Sequence, residues 1–160
     1  MRALIIAGTL CLMIVLSEAQ PIVGRASVID GDTIEIAGQR IRLHGIDAPE
    51  SRQLCSDAAG QRYRCGQRAA LMLADWIDGA QPIRCVSRDR DRWGRVIAAC
   101  TRGGADVVEW LVRKGHALDW PRYSGGKYAD AQRAAKVRRM GVWQGRFVQP
   151  WDWRRQSNAQ

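Results

Sequence analysis

From Ile22 to Ile46 apolar and polar residues alternate through three stretches rich in β-branched side chains, Ile22 to Ile29, Thr33 to Ile36 and Arg40 to Ile46, broken at Asp30-Gly31 and Ala37-Gly38. A period of two marks half-buried strands, and Asp-Gly between them is a hairpin turn, so a three-strand meander is predicted. Ile83 to Arg88 and Arg95 to Thr101 alternate in the same way on either side of Asp91-Arg92-Trp93-Gly94 and predict a hairpin. Between the two groups, Gly66 to Ile77 places Ala69, Leu73, Trp76 and Ile77 on one helical face. A second helix is predicted to start at Asp106, capped with Glu109 three residues on, to bury Val107, Leu111 and Val112, and to stop at Gly115. A third, Lys127 to Met140, buries Tyr128, Ala131 and Ala135 and ends at Gly141. Trp76, Trp110 and Trp143 sit at helical positions that suit core packing. The expected fold is α+β: a five-stranded barrel with three flanking helices, because closure hides the sheet edges.

The first residues change the picture of where the chain works. Met1-Arg2, an apolar run from Ala3 to Leu16 and the small residues of Ser17-Glu18-Ala19 have the form of a cleaved export signal over 1–19. The apolar run is shorter than a spanning helix needs, so no membrane anchor is expected after cleavage. The domain is expected over 20–153, a tail over 154–160, and the location as secreted or periplasmic. Loss of Cys11 with the signal leaves four of the five cysteines, an even number suited to disulfides in an exported chain. The midpoint between Cys85 and Cys100 falls in the hairpin turn, which sets them opposite each other and leaves Cys55 to close a short loop with Cys65. Zinc would want a Cys-x-x-Cys spacing, and the sequence has none.

With 160 residues, 46% hydrophobic and 26% charged, the chain is sized for one globular domain, and a monomer is expected because no surplus apolar stripe is left over. The formal net charge is +9, carried by 22 Arg and 3 Lys, and guanidinium forks suit bidentate contacts to a polyanion. Charge narrows the partner without choosing the chemistry.

The densest polar cluster is Asp30-Gly31-Asp32-Thr33 followed by Arg42 through Glu50. Asp30 and Gly31 are accounted for by the turn, whereas Asp32 is not required by it. Pro49 holds its neighbours extended, which puts Asp47 and Glu50 on a stiff loop. Asp32 and Asp47 with a main-chain carbonyl suit a hard divalent cation, Glu50 could accept a proton from water, and Arg42 and Arg95 could grip phosphate oxygens. Solvated surface ion pairs are the competing reading of the same charges.

Three pieces in order, Val28-Ile29-Asp30-Gly31-Asp32-Thr33, Arg42 through Glu50, and Asp89-Arg90-Asp91-Arg92-Trp93-Gly94-Arg95, resemble the staphylococcal nuclease (thermonuclease) family over nearly the whole mature chain. The resemblance implies an OB-fold barrel and calcium-dependent cleavage of DNA and RNA that leaves 3′-phosphate ends. It would place calcium on Asp32, Asp47 and the carbonyl of Ala48, the general base on Glu50, and the phosphate-binding arginines at Arg42 and Arg95. The sequence departs from the family at the substrate walls. Arg92-Trp93 stands in place of a lysine and a tyrosine, and Pro121 in place of a stacking tyrosine, with Trp120 or Tyr123 expected to supply that surface. His44 and His116 are too isolated for a metal cluster and are expected in structural or surface roles. Trp151 to Arg155 reads equally as a docked tail or a nucleic-acid contact. Two rival readings remain beside the enzyme: a non-catalytic OB-fold module that binds nucleic acid, and a basic envelope protein that binds acidic polymers without calcium.

Overall fold

The structure, a computed structural model, describes residues 20–157 and residue 159; the expected export signal lies outside the described residues. In chain order the elements are β1 (Ile22–Gly24), β2 (Ala26–Asp30), β3 (Thr33–Ile36), β4 (Gln39–Leu43), β5 (Ile46–Asp47), β6 (Leu54–Ser56), β7 (Arg62–Arg64), α1 (Cys65–Asp78), β8 (Ile83–Arg90), β9 (Val96–Arg102), β10 (Ala105–Asp106), α2 (Val107–Arg113), β11 (Leu118–Asp119), α3 (Pro121–Ser124), α4 (Ala129–Val137), a 3-10 turn at Gly141–Gln144, and α5 (Pro150–Ser157). The α+β class is as expected from the alternation and helical periodicity.

The sheet corrects the expected five-stranded closed barrel. Its hydrogen-bonded path runs β1-β8-β9-β4-β3-β2, with β10 added on β9, and the two end strands do not pair with each other. The gap in the pairing falls at Arg25. The first expected strand breaks there, so its halves β1 and β2 occupy opposite ends of the path while remaining neighbours in the chain. Neighbouring strands are antiparallel except β4 and β9, which run parallel. The third expected strand also ends early, at Leu43, and its remainder forms β5, which pairs with β11.

One main core fills the space between sheet and helices: Ile34, Ile36, Ile41 and Leu43 from the meander meet Leu73 and Ile77 of α1 and Val107, Leu111 and Val112 of α2. Asp106 caps α2 as expected, its Oδ1 accepting from the amides of Val108 at 2.9 Å and Glu109 at 3.1 Å. Trp76 and Trp110 stack at 4.5 Å between ring centroids against this core. Cys85 and Cys100 are direct partners in the β8–β9 register and are joined, and Cys55 is joined to Cys65. The second bridge ties the β6–β7 ribbon to the start of α1 and nucleates a smaller core with Leu118 and Val142, on which Phe147 and Trp151 rest. More helices form than the three expected. Short α3 follows Trp120, and α5 arises in what reads in sequence as a tail, crossing the expected boundary at residue 153. Among the described residues no helix is long and apolar enough to cross a membrane.

Candidate active site

The candidate site is built where the β2–β3 turn, β4, the loop after β5, the β8–β9 hairpin and α5 converge on a cavity of about 700 Å³. Its walls include Asp32, Arg42, Glu50, Arg95, Trp120 and Arg154. Turn and loop are held together by close packing. A Cβ on Gly31 would lie 2.7 Å from the Cβ of Ala48, and one on Gly66, at the start of α1, would lie 2.0 Å from the Glu50 carbonyl oxygen. Both positions need glycine because neighbouring atoms approach too closely for any side chain.

Asp32 leaves the turn almost fully buried. Its Oδ1 accepts from Arg42 Nη1 at 2.7 Å and Thr33 Oγ1 at 3.1 Å, while Oδ2 receives the Ala48 amide at 3.3 Å. Burial, with the nearby charges of Asp30 and Asp47, pushes this carboxyl up to about 7 against the opposing pull of Arg42. Arg42 reaches the site from β4, directly across from Thr33, and also donates through Nη2 to Asp47 Oδ1 at 3.1 Å. Burial alone would lower the Arg42 guanidinium, but the charges of Asp32 and Asp47 outweigh it and hold the group above its ordinary value.

Asp47 has 0% exposed surface and sits beneath the guanidiniums of Arg42 and Arg154. Glu50 is on the Pro49 loop, whose register is fixed by Gln53: the Glu50 amide donates to Gln53 Oε1 at 3.2 Å and the Gln53 amide to the Glu50 carbonyl at 2.7 Å. The Gln53 side chain, with 0% exposed surface, also donates through Nε2 to the Val148 carbonyl at 2.6 Å and so joins this loop to the segment that leads into α5.

Arg95 enters from the hairpin. Asp91 organises that turn by accepting from the amides of Trp93 and Arg95, each at 3.0 Å, and fixes the Arg95 Nε at 2.7 Å. Burial opposes the charged form of Asp91, yet these hydrogen bonds prevail and hold its carboxyl below the usual range. Trp93 stands 67% exposed at the hairpin tip, with the Arg92 guanidinium 4.2 Å and that of Arg95 5.4 Å from its ring centroid. On the far wall Tyr123 meets Trp120 edge-on at 4.7 Å, and Trp151 stacks behind Trp120 at 5.7 Å. Trp120 is placed by its main-chain N–H, which donates a hydrogen bond to the Gly45 carbonyl at 3.0 Å and continues the pairing of β11 with the strand that carries Asp47.

The fold therefore brings together Asp32, Arg42, Asp47, Ala48, Glu50 and Arg95, with Arg92, Trp93, Trp120 and Tyr123 around the same cavity except that Asp47 lies behind its wall. Of the histidines, His44 borders the cavity and His116 packs on Trp110, its ring pushed down to about 4 by burial with Arg68 and Lys114 nearby. The sequence reading misses Gln53, Gly66 and above all Arg154. The Arg154 Nη1 donates to Asp47 Oδ1 at 3.0 Å and Glu50 Oε1 at 2.6 Å, and its Nη2 to Asp47 Oδ2 at 2.6 Å. Arg154 is 107 residues from Asp47, so only its Trp-rich neighbourhood hinted that the segment docks.

The family described as Staphylococcal nuclease homologue matches residues 40–145. The chain is 48% identical over 126 residues to a succinoglycan biosynthesis protein, ExoI, of Rhizobium meliloti (strain 1021), a stretch covering 78% of this chain and 66%, just under two thirds, of that relative. It is 33% identical over 149 residues to a micrococcal nuclease of Shigella flexneri, covering 81% of this chain and 78% of the relative. An uncharacterized endonuclease of Escherichia coli is 31% identical over 134 residues, with 79% and 80% covered. Matched over most of its described length, and carrying the clustered carboxylates and arginines that its sequence led one to expect, the chain belongs to the staphylococcal nuclease homologue family.

Proposed function

We propose that the chain is an exported, calcium-dependent nuclease that hydrolyses phosphodiester bonds of DNA and RNA and leaves 3′-phosphate ends, with 1–19 as a cleaved signal and a nuclease domain that runs from residue 20 through α5. The observation that carries this reading is the convergence of Asp32, Glu50 and the cationic Arg42 and Arg95 on one cavity, with Asp47 directly behind its wall and bonded to Arg42. Two buried disulfides suit an oxidising compartment.

The donor set fits a hard divalent cation. Asp32 keeps an oxygen with a single long hydrogen bond, and burial, with the charges of Asp30 and Asp47 nearby, raises its pKa, so a cation there would be welcome. Among the described residues no three His, Cys, Asp or Glu side chains form a metal cage by themselves, so an ion would take Asp32, Asp47, the Ala48 carbonyl and waters, a coordination natural to calcium. When bound, the ion supplies charge neutralisation at a phosphate oxygen. Glu50 accepts a proton from the attacking water, and the Gln53-braced loop holds the main chain that carries it. Arg42 and Arg95 stabilise the charge that grows on the non-bridging oxygens of the five-coordinate phosphorus, and departure of the 5′ oxygen leaves the phosphate on the 3′ side. Trp93, Arg92, Trp120 and Tyr123 offer faces for bases, each stack worth about 1 to 3 kcal/mol.

The test incubates the mature, oxidised chain with plasmid and with single-stranded DNA, in calcium or in excess chelator, beside Arg95→Ala. Cleavage of both substrates in calcium, loss with chelator and a slow variant are expected. Intact substrates in calcium contradict the proposal and favour the second reading, a non-catalytic polyanion-binding module, for which the formal net charge of +9 is the specific support.

A further inference from the structure

α5 lies beyond residue 145, where the family match ends, yet it is built into the site. Pro150 is buried, Trp151 stacks on Trp120, and Gln53 holds the Val148 carbonyl, so three contacts anchor the helix independently of Arg154. Arg154 then projects its guanidinium onto Asp47 and Glu50. Both oxygens of Asp47 and one of Glu50 are taken by it, and Asp47 Oδ1 is shared with Arg42. A planar fork with two short bonds to one carboxylate is the strongest geometry a guanidinium offers.

We propose that Arg154 is a built-in cationic occupant of the metal seat, so that its side chain and a divalent cation compete for Asp47. The inference rests on the metal-binding reading above. A calcium ion on Asp47 would stand within hydrogen-bond range of the guanidinium. Repulsion between a dication and a monocation at that range is worth at least about tenfold in affinity, even at the dielectric of water. Since α5 has its own anchors and the Arg154 side chain is one third exposed, lining the cavity, the guanidinium can leave the carboxylates without the helix undocking. In the absence of the ion it keeps Asp47 and Glu50 compensated, and the ion must displace it from Asp47 to bind. Metal occupancy is thereby set by a residue that the family match does not reach.

Calorimetry with calcium alone, no nucleic acid present, tests this on the mature chain, Arg154→Gln, Arg154→Lys and Arg155→Gln, the last altering the exposed pair that Arg155 makes with Asp152. Expected are at least about tenfold tighter binding by Arg154→Gln, an intermediate value for Arg154→Lys, and no change for Arg155→Gln. On the unmutated chain, the side-chain nitrogen resonance of Arg154 should shift as calcium is added, a readout that does not depend on any variant folding. Equal or weaker calcium affinity in Arg154→Gln, or a resonance that stays put while calcium binds, overturns the competition and leaves the metal-dependent reading standing. Absence of calcium binding by the mature chain and Arg154→Gln alike overturns both.

Discussion

Replacing Gln53 by leucine removes a side chain that touches no expected ligand yet braces the site. Gln53 is wholly buried, and its amide satisfies two main-chain groups at once, the Glu50 N–H at 3.2 Å and the Val148 carbonyl at 2.6 Å. Leucine is close in volume and leaves the packing intact, so the cost is that of the stranded partners. An unsatisfied buried group costs about 1 to 3 kcal/mol, so two cost about 2 to 6 kcal/mol. Against a total stability of about 5 to 15 kcal/mol that is a large fraction. Urea unfolding of Gln53→Leu should show a lower midpoint at an unchanged slope, because the surface exposed on unfolding is the same. The loop that carries Glu50 and the segment leading to α5 both lose a tether, so turnover should fall as well. A midpoint shift worth less than about 1 kcal/mol with unaltered turnover would refute the view that Gln53 couples loop and helix.

Further outcomes follow from other contacts. Gly66→Ala would gain up to about 1 kcal/mol of helix propensity, but its Cβ meets the Glu50 carbonyl at 2.0 Å, and overpacking costs about 1 to 3 kcal/mol; thermal melts should therefore show net destabilisation and assays reduced turnover. Removing the buried Cys85–Cys100 bridge by a double alanine change, which frees a loop of sequence separation 15, should cost about 3 kcal/mol, read as a lower urea midpoint than that of the oxidised parent. His116 is pushed down to about 4 from 6.5 by burial, so the unfolded chain binds its proton first: stability is complete above about pH 6.5 and declines as pH falls toward 4, by at most about 3 kcal/mol before solvent screening. A His116→Gln variant should lose that part of the acid sensitivity in pH-dependent unfolding.

Much of the fold is legible locally. The meander, the disulfide-bridged hairpin, α1 and the Asp106 cap each depend on residues close in sequence, where periodicity or turn chemistry speaks for itself. The barrel expectation overreached at Arg25, because alternation continues through a break that only the pairing partners of β1 and β2 reveal. The third helix also came out shorter, ending at Val137, since Arg139 takes a left-handed backbone that the sequence pattern does not announce. At the site, residues inside the two dense motifs were readable because their types are chemically costly to cluster without a purpose. Gln53 and Arg154 were not, for they act across 95 and 107 residues, and a lone glutamine or arginine carries no spacing signal. α5 itself buries only Pro150 and rests on Trp151, so it lacks the apolar stripe by which α1, α2 and α4 can be found.

In the proposed reaction Glu50 takes the proton from the water that attacks the phosphodiester. The most direct measurement of this step is the single-turnover rate of cleavage of a 5′-labelled oligonucleotide in saturating calcium, unmutated chain against Glu50→Gln, with the product's 3′ end tested for removal of phosphate by a phosphatase. A rate about 10² to 10⁴ lower in the variant, with phosphatase-sensitive 3′ ends from the unmutated chain, is the predicted result; equal rates for the two proteins would contradict it.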